Sequence, residues 1–177
     1  MELLCLVGRH GSGKSTIGAA LGAHGYKHLS VGLLRRLAGS NQYPADIPAS
    51  LMLAFRRAQP GVALATDVSQ KLLRYASSFD RCVLDGFPAS TEHLALLPDL
   101  TIVGVVWAPK SVREARLQQR SESTKRIWTP GQFSQREQSL AHLIRSARQT
   151  HRTFFISNAM SGPDGVDRIT NNILQRV

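Results

Sequence analysis

Eight residues near the N-terminus constrain this chain more than any other stretch: Gly8-Arg9-His10-Gly11-Ser12-Gly13-Lys14-Ser15, a G-x-x-x-x-G-K-[ST] loop. The loop follows the apolar run Leu3-Leu4-Cys5-Leu6-Val7 and precedes an Ala- and Leu-rich stretch, Thr16–Ala23, so it joins a buried strand to a helix. Glycines at 8, 11 and 13 let the backbone curl until several N–H groups point into one concavity, and the helix opening near Ser15 adds the positive end of its dipole. Such a concavity binds a polyphosphate. Lys14 reaches β- and γ-phosphate oxygens as a point charge, the Ser15 hydroxyl is the expected Mg²⁺ ligand, and His10, Ser12 and Thr16 complete an ATP-binding loop. The competing reading, a glycine-rich turn with an incidental lysine, ignores the strand–loop–helix context.

With 177 residues, 42% of them hydrophobic, the sequence suits one domain over 1–177 with a full core. The apolar run at 2–7 is too short for a signal peptide, and no stretch approaches the roughly 18 apolar residues of a membrane span. A soluble, cytoplasmic protein is therefore expected, with no membrane and no obligate protein partner. Cys5 and Cys82 fall inside apolar runs and read as core thiols. The formal net charge is +10, and between Lys110 and Arg152 ten Lys/Arg face only three acids, Glu114, Glu122 and Glu137. Such a cluster suits phosphate, either of a nucleotide or of a nucleic-acid backbone.

Strand-like and helix-like segments alternate. Tyr26–Ser30 reads as a short strand, with Ser30 placed to cap a helix over Val31–Leu37, and Asn41–Pro48 reads as a loop able to act as a flap. Ser50–Arg57 reads as a helix, and Thr66 or Asp67 caps another that runs to about Tyr75. Arg81–Asp85 is a buried strand ending in a carboxylate, followed by Gly86-Phe87-Pro88; Leu100–Trp107 is the next strand. In an open parallel sheet, ligands sit beyond the carboxyl ends of the strands, so Asp85 emerges beside the loop, as a Mg²⁺ anchor, a proton acceptor or merely a helix cap. After Pro109 a helix capped by Ser111 carries Arg113, Arg116 and Arg120 on one face. A polar stretch at 121–132 follows, with Trp128 either stacking on a base or packing a hinge. A long helix over Phe133–Arg152, a strand over Thr153–Ile156 and a terminal helix over Val166–Arg176 complete the chain. The alternation predicts an α/β fold with a parallel sheet covered on both faces and right-handed crossovers; strand order is not legible in it.

Several blocks together resemble adenylate kinase and its nucleoside monophosphate kinase relatives. Besides the loop, they are Tyr26–Arg35 (YKHLSVGLLR), Leu64-Ala65-Thr66-Asp67, Leu84-Asp85-Gly86-Phe87-Pro88, and Pro109 with Arg116 and Arg120. The resemblance implies a three-layer P-loop kinase fold with a five-stranded parallel sheet, a short lid at about 121–132 and an acceptor flap at about 30–60. It implies ATP and Mg²⁺ as cofactors, with Lys14, Asp85, Arg116 and Arg120 catalytic and Ser15 and Asp85 holding the metal. Arg35, Gly86, Phe87 and His93 would then face the acceptor. The sequence departs from the family where an arginine should grip the acceptor phosphate, which here is Ala89, and where Val31, Leu33 and His93 replace its Thr, Asp and Gln. The departures surround the acceptor, so the donor side survives and the acceptor is changed.

Two acceptors fit this reading, the first favoured and the second its alternative. One is a hydroxyl already in DNA, that of 5-hydroxymethyluracil, which phage kinases of similar size phosphorylate; a polymer's phosphates would match the +10 charge. The other is a free (deoxy)nucleoside monophosphate. A non-catalytic module that binds nucleic acid and keeps ATP as a structural ligand is a third reading, disfavoured by the joint presence of Lys14, Ser15, Asp85, Arg116 and Arg120.

Overall fold

Leu3 to Val7 are buried on both sides of their strand, β1 (Glu2–Val7), and a strand apolar on both faces belongs in the middle of a sheet covered above and below. In the computed structural model, which describes residues 1–59, 62–124, 139–159 and 162–177, β1 is the centre of five parallel strands. The others are β2 (Lys27–Ser30), β3 (Arg81–Asp85), β4 (Ile102–Trp107) and β5 (Arg152–Ser157), in the order β2-β3-β1-β4-β5.

Alternation along β1 divides the core in two. Leu3, Cys5 and Val7 point to one face, and Leu4 and Leu6 to the other. The second face is covered by α1 (Lys14–Gly22), through Ile17 and Leu21, and by the C-terminal helix through Ile173. On the first face lie α2 (Val31–Gly39), α3 (Ala49–Arg57), α4 (Thr66–Ala76), α5 (Thr91–Leu94) and, beyond α6 (Lys110–Ser123), α7 (Leu140–Thr150). The C-terminal helix, α8 (Pro163–Leu174), begins with proline, which suits a first turn whose N–H has no partner inside the helix.

Element types agree with the expectations and several boundaries do not. α6 begins at Lys110 with Pro109 in the capping position, so Ser111 lies inside its first turn and caps nothing. Likewise Ala65 precedes α4, Thr66 opens it, and Asp67 stands in the first turn, where a carboxylate complements the helix dipole. Arg152, expected at the end of a helix, starts β5. The four-residue α5 was not anticipated; one turn is too short for a periodicity to show. Trp128, the 125–132 part of the expected lid and the 133–138 part of the expected helix lie outside the described residues.

The 41–48 loop is anchored to the body. Ile47 is buried, Lys27 Nζ donates to Asp46 Oδ2 at 2.5 Å, and the Tyr75 hydroxyl donates to the Asp46 carbonyl. Among the described residues, no helix is long and apolar enough to cross a membrane.

Candidate active site

All five strands run the same way, so their carboxyl ends open on one edge, and the 8–15 loop crosses that edge at its centre. The loop's glycines are required by what lies behind them. Gly11 has φ +76°, and a Cβ there would stand 2.6 Å from the Arg113 carbonyl oxygen; Gly13 has φ +91°, and its Cβ would stand 2.2 Å from Asn158 Nδ2. Both positions combine a left-handed backbone with no room for a side chain. Gly13 also occupies the capping position of α1 with no side-chain cap bond, and the first turn of that helix has no acidic residue. The positive end of α1 therefore meets no carboxylate of its own first turn. Lys14 Nζ reaches back along the loop, donating to the carbonyls of Gly8 at 2.8 Å and Arg9 at 2.9 Å. Thr16 is exposed one position beyond Ser15.

β1 and β3 are neighbours in register Leu6 to Asp85, and β2 and β3 in register Ser30 to Asp85. The pairing brings three segments to one carboxylate. Asp85 is 3% exposed, and its Oδ2 accepts hydrogen bonds from the Ser15 hydroxyl and, at 2.9 Å, from the Ser30 hydroxyl. Ser30 was expected to cap α2; it stands at that position, but its hydroxyl is turned to Asp85 instead. His28 Nε2 lies 3.9 Å from the same oxygen, its ring seated against Gly18 of α1. Burial lowers the His28 pKa from its ordinary value, and Asp85 partly opposes that.

Ser15 and Asp85 thus place two hard oxygen ligands side by side at the loop, which fits Mg²⁺. No group of three or more His, Cys, Asp or Glu able to hold a metal occurs among the described residues.

The arginines divide by environment. Arg116 donates from both terminal nitrogens to Asn158, to its carbonyl at 3.1 Å and to its Oδ1 at 3.4 Å, and stands beside the loop. Arg120 is half-buried one turn further along α6. Arg113, which the sequence suggested only as part of a basic face, is 6% exposed and donates to the His10 carbonyl at 3.3 Å. Its i, i+3 spacing to Arg116 could not show which of them faces inward.

On the other side of the edge, Arg35 of α2 donates to the carbonyls of Val62, at 2.7 Å, and Gln59. It ties α2 to the segment that follows α3, and burial lowers its pKa from the ordinary arginine value. Gly86 takes φ +79° and donates its N–H to the Leu6 carbonyl at 3.1 Å, which turns the chain at the end of β3. Phe87 and His93 are placed differently from the expectation of acceptor contact. Both are buried and stacked with ring centroids 4.7 Å apart. His93 Nδ1 accepts from the Ala89 N–H at 3.1 Å, which leaves the proton on Nε2, 2.7 Å from the Leu64 carbonyl and 3.1 Å from the Ser69 hydroxyl. His93 thus pins the 86–89 turn to α4.

No protein-family model and no curated protein matches the chain. Solved structures do. It is similar over 99% of its length to TT1252 from Thermus thermophilus, of which 97% is covered, with 20% identity and a TM-score of 0.54. A gluconokinase from Sinorhizobium meliloti 1021 matches with the same coverages, 15% identity and a TM-score of 0.54. A shikimate kinase from Acinetobacter baumannii, solved in complex with shikimate, matches over 99% of this chain and 92% of its own, with 18% identity and a TM-score of 0.56. The fold is that of the P-loop kinases, with the five-stranded sheet in the order 2-3-1-4-5.

Proposed function

We propose that this chain is an ATP-dependent kinase that moves the γ-phosphoryl group of ATP to a small, nucleotide-type acceptor through a phosphate oxygen of that acceptor. The loop and the first turn of α1 hold the polyphosphate, and Lys14 shifts from the Gly8 and Arg9 carbonyls to the phosphate oxygens. When bound, Mg²⁺ would neutralise charge on the transferring group; Ser15 and Asp85 are the residues that would hold it. Arg116, beside the loop, and Arg120, one turn further along α6, would supply further positive charge where it builds up in transfer. Arg35 and Gly86 border the acceptor.

The observation that carries the phosphate acceptor is the environment of Asp85. A hydroxyl acceptor benefits from a carboxylate base, whereas a phosphate already presents an oxyanion. Asp85 is buried and engaged by two hydroxyls, which suits a metal anchor better than a base. The segments that open the acceptor side, Ser30–Arg35 and Gly86–Ala89, contain no other carboxylate.

The second reading, a hydroxyl of 5-hydroxymethyluracil in DNA, is favoured by the +10 charge and by exposed Arg36, Arg56 and Arg57 on the flap helices α2 and α3. One assay separates them: transfer of labelled γ-phosphate from MgATP to a panel of nucleoside monophosphates, to gluconate and shikimate, and to DNA with or without the modified base. Label on free monophosphates, abolished in Lys14→Ala, is the expected result. Label confined to modified DNA would overturn the phosphate acceptor in favour of the second reading, and label confined to a sugar acid would overturn both. No label on any acceptor, together with ATP binding, would point to the non-catalytic module.

A further inference from the structure

Behind the loop, the carbonyl of fully buried Ser12 is held by a residue 146 positions away. Asn158, the first residue after β5, donates from Nδ2 to that carbonyl at 2.8 Å and is itself 4% exposed. The same side chain accepts from Arg116 through Oδ1 at 3.4 Å, and its backbone carbonyl accepts from Arg116 at 3.1 Å. Its own N–H donates to the Trp107 carbonyl at the end of β4, at 2.7 Å. The orientation of the amide is dictated by chemistry. A carbonyl needs the NH₂ end and a guanidinium needs the oxygen end, so both neighbours fix the same rotamer. Gly13 completes the arrangement, because its missing Cβ is the space that Asn158 Nδ2 occupies.

We propose that Asn158 is a positioning residue for ATP. It sets the curvature of the loop at Ser12–Gly13 and holds the Arg116 guanidinium beside that loop, so phosphate affinity depends on an amide far from the motif. The inference rests on the ATP-dependent kinase reading above. Physically, the N–H groups of the loop converge only if the carbonyl between them turns outward, and an outward, buried carbonyl requires a donor. Asn158 is that donor, anchored through its own backbone to the end of β4.

The test measures MgATP affinity by titration calorimetry, with no acceptor present, for the whole chain and for Asn158→Asp and Asn158→Ala. Asn158→Asp keeps shape and an acceptor for Arg116 but sets oxygen against the Ser12 carbonyl; Asn158→Ala removes both contacts without adding charge. Each is expected to weaken MgATP about tenfold, the scale of one buried hydrogen bond lost from a preorganised site. In turnover, KM for ATP should rise by the same factor while KM for the acceptor stays within about twofold, a split that mere loss of stability would not produce. In the double variant with Arg116→Ala, the combined loss of ATP affinity should be smaller than the product of the single losses, because the two side chains act through one network. A folded Asn158→Ala protein with wild-type ATP affinity would overturn the proposal, as would full multiplicativity with Arg116→Ala for the Arg116 part. If the unaltered chain itself fails to bind MgATP, the kinase reading falls; if it binds and both variants bind equally well, this inference alone falls.

Discussion

Replacing Gly13 by alanine tests whether the loop is shaped from outside, and the fold supplies its own control. Gly13 and Gly25 have nearly equal φ values, +91° and +85°, but a Cβ at 25 meets nothing within 4 Å, whereas one at 13 stands 2.2 Å from Asn158 Nδ2. The left-handed backbone costs alanine about 1–2 kcal/mol at either position, and the stiffer unfolded chain returns about 0.4–1 kcal/mol. Gly25→Ala should therefore lose only about 0–1.6 kcal/mol. At position 13 the Asn158 amide must also leave the Ser12 carbonyl, and a buried acceptor left unpaired costs about 1–3 kcal/mol more. Gly13→Ala should thus lose about 1–3 kcal/mol more than Gly25→Ala in urea unfolding, with ATP binding weakened tenfold or more, while Gly25→Ala binds ATP normally. Stabilities of the two variants within about 0.5 kcal/mol of each other would refute the claim that Asn158 presses on the loop.

Three further outcomes follow from the site and the core. Asp85→Asn removes the charge that two hydroxyls engage and that is proposed to hold Mg²⁺, so transfer should drop by about a thousandfold or more while ATP without Mg²⁺ binds within a few-fold of normal; near-normal transfer would exclude Asp85 as anchor. His93→Ala strands the Ala89 N–H and the Leu64 carbonyl in the core, and should cost about 2–4 kcal/mol in denaturant titrations while acceptor KM of the folded enzyme stays unchanged. A large rise in that KM with little loss of stability would restore His93 to the acceptor site. Burial pushes the Cys82 thiol up to about 12 despite nearby Lys27, and Cys5 is raised further by burial beside Cys82. Neither forms thiolate at pH 7–9, so a disulfide reagent should label both thiols only at the rate of unfolding; fast labelling of the native chain would contradict the packing.

What could be read in the sequence was local. The 8–15 loop declares itself because its glycines, lysine and serine act within one turn of backbone, and the flanking apolar strand and helix are written beside it. Apolar runs at 3–7, 82–84 and 102–106 mark strands covered on both faces, since a helix layer on each side favours apolar side chains at every position. Asp85 was visible for the same reason, as the first carboxylate after such a run.

Tertiary structure decided how distant residues meet. Nothing local sets the order β2-β3-β1-β4-β5, because parallel strands pair across whole crossovers, and only that order brings Ser15, Ser30 and His28 to one carboxylate. Ser30 illustrates the consequence: a helix cap was plausible from sequence, and its hydroxyl found a carboxylate 55 residues away instead. Asn158 gave no sequence signal at all, as a lone asparagine after a strand reads as an ordinary turn residue. Its role exists only because β5 ends beside the loop, where a buried carbonyl has to be paired and one amide can reach it.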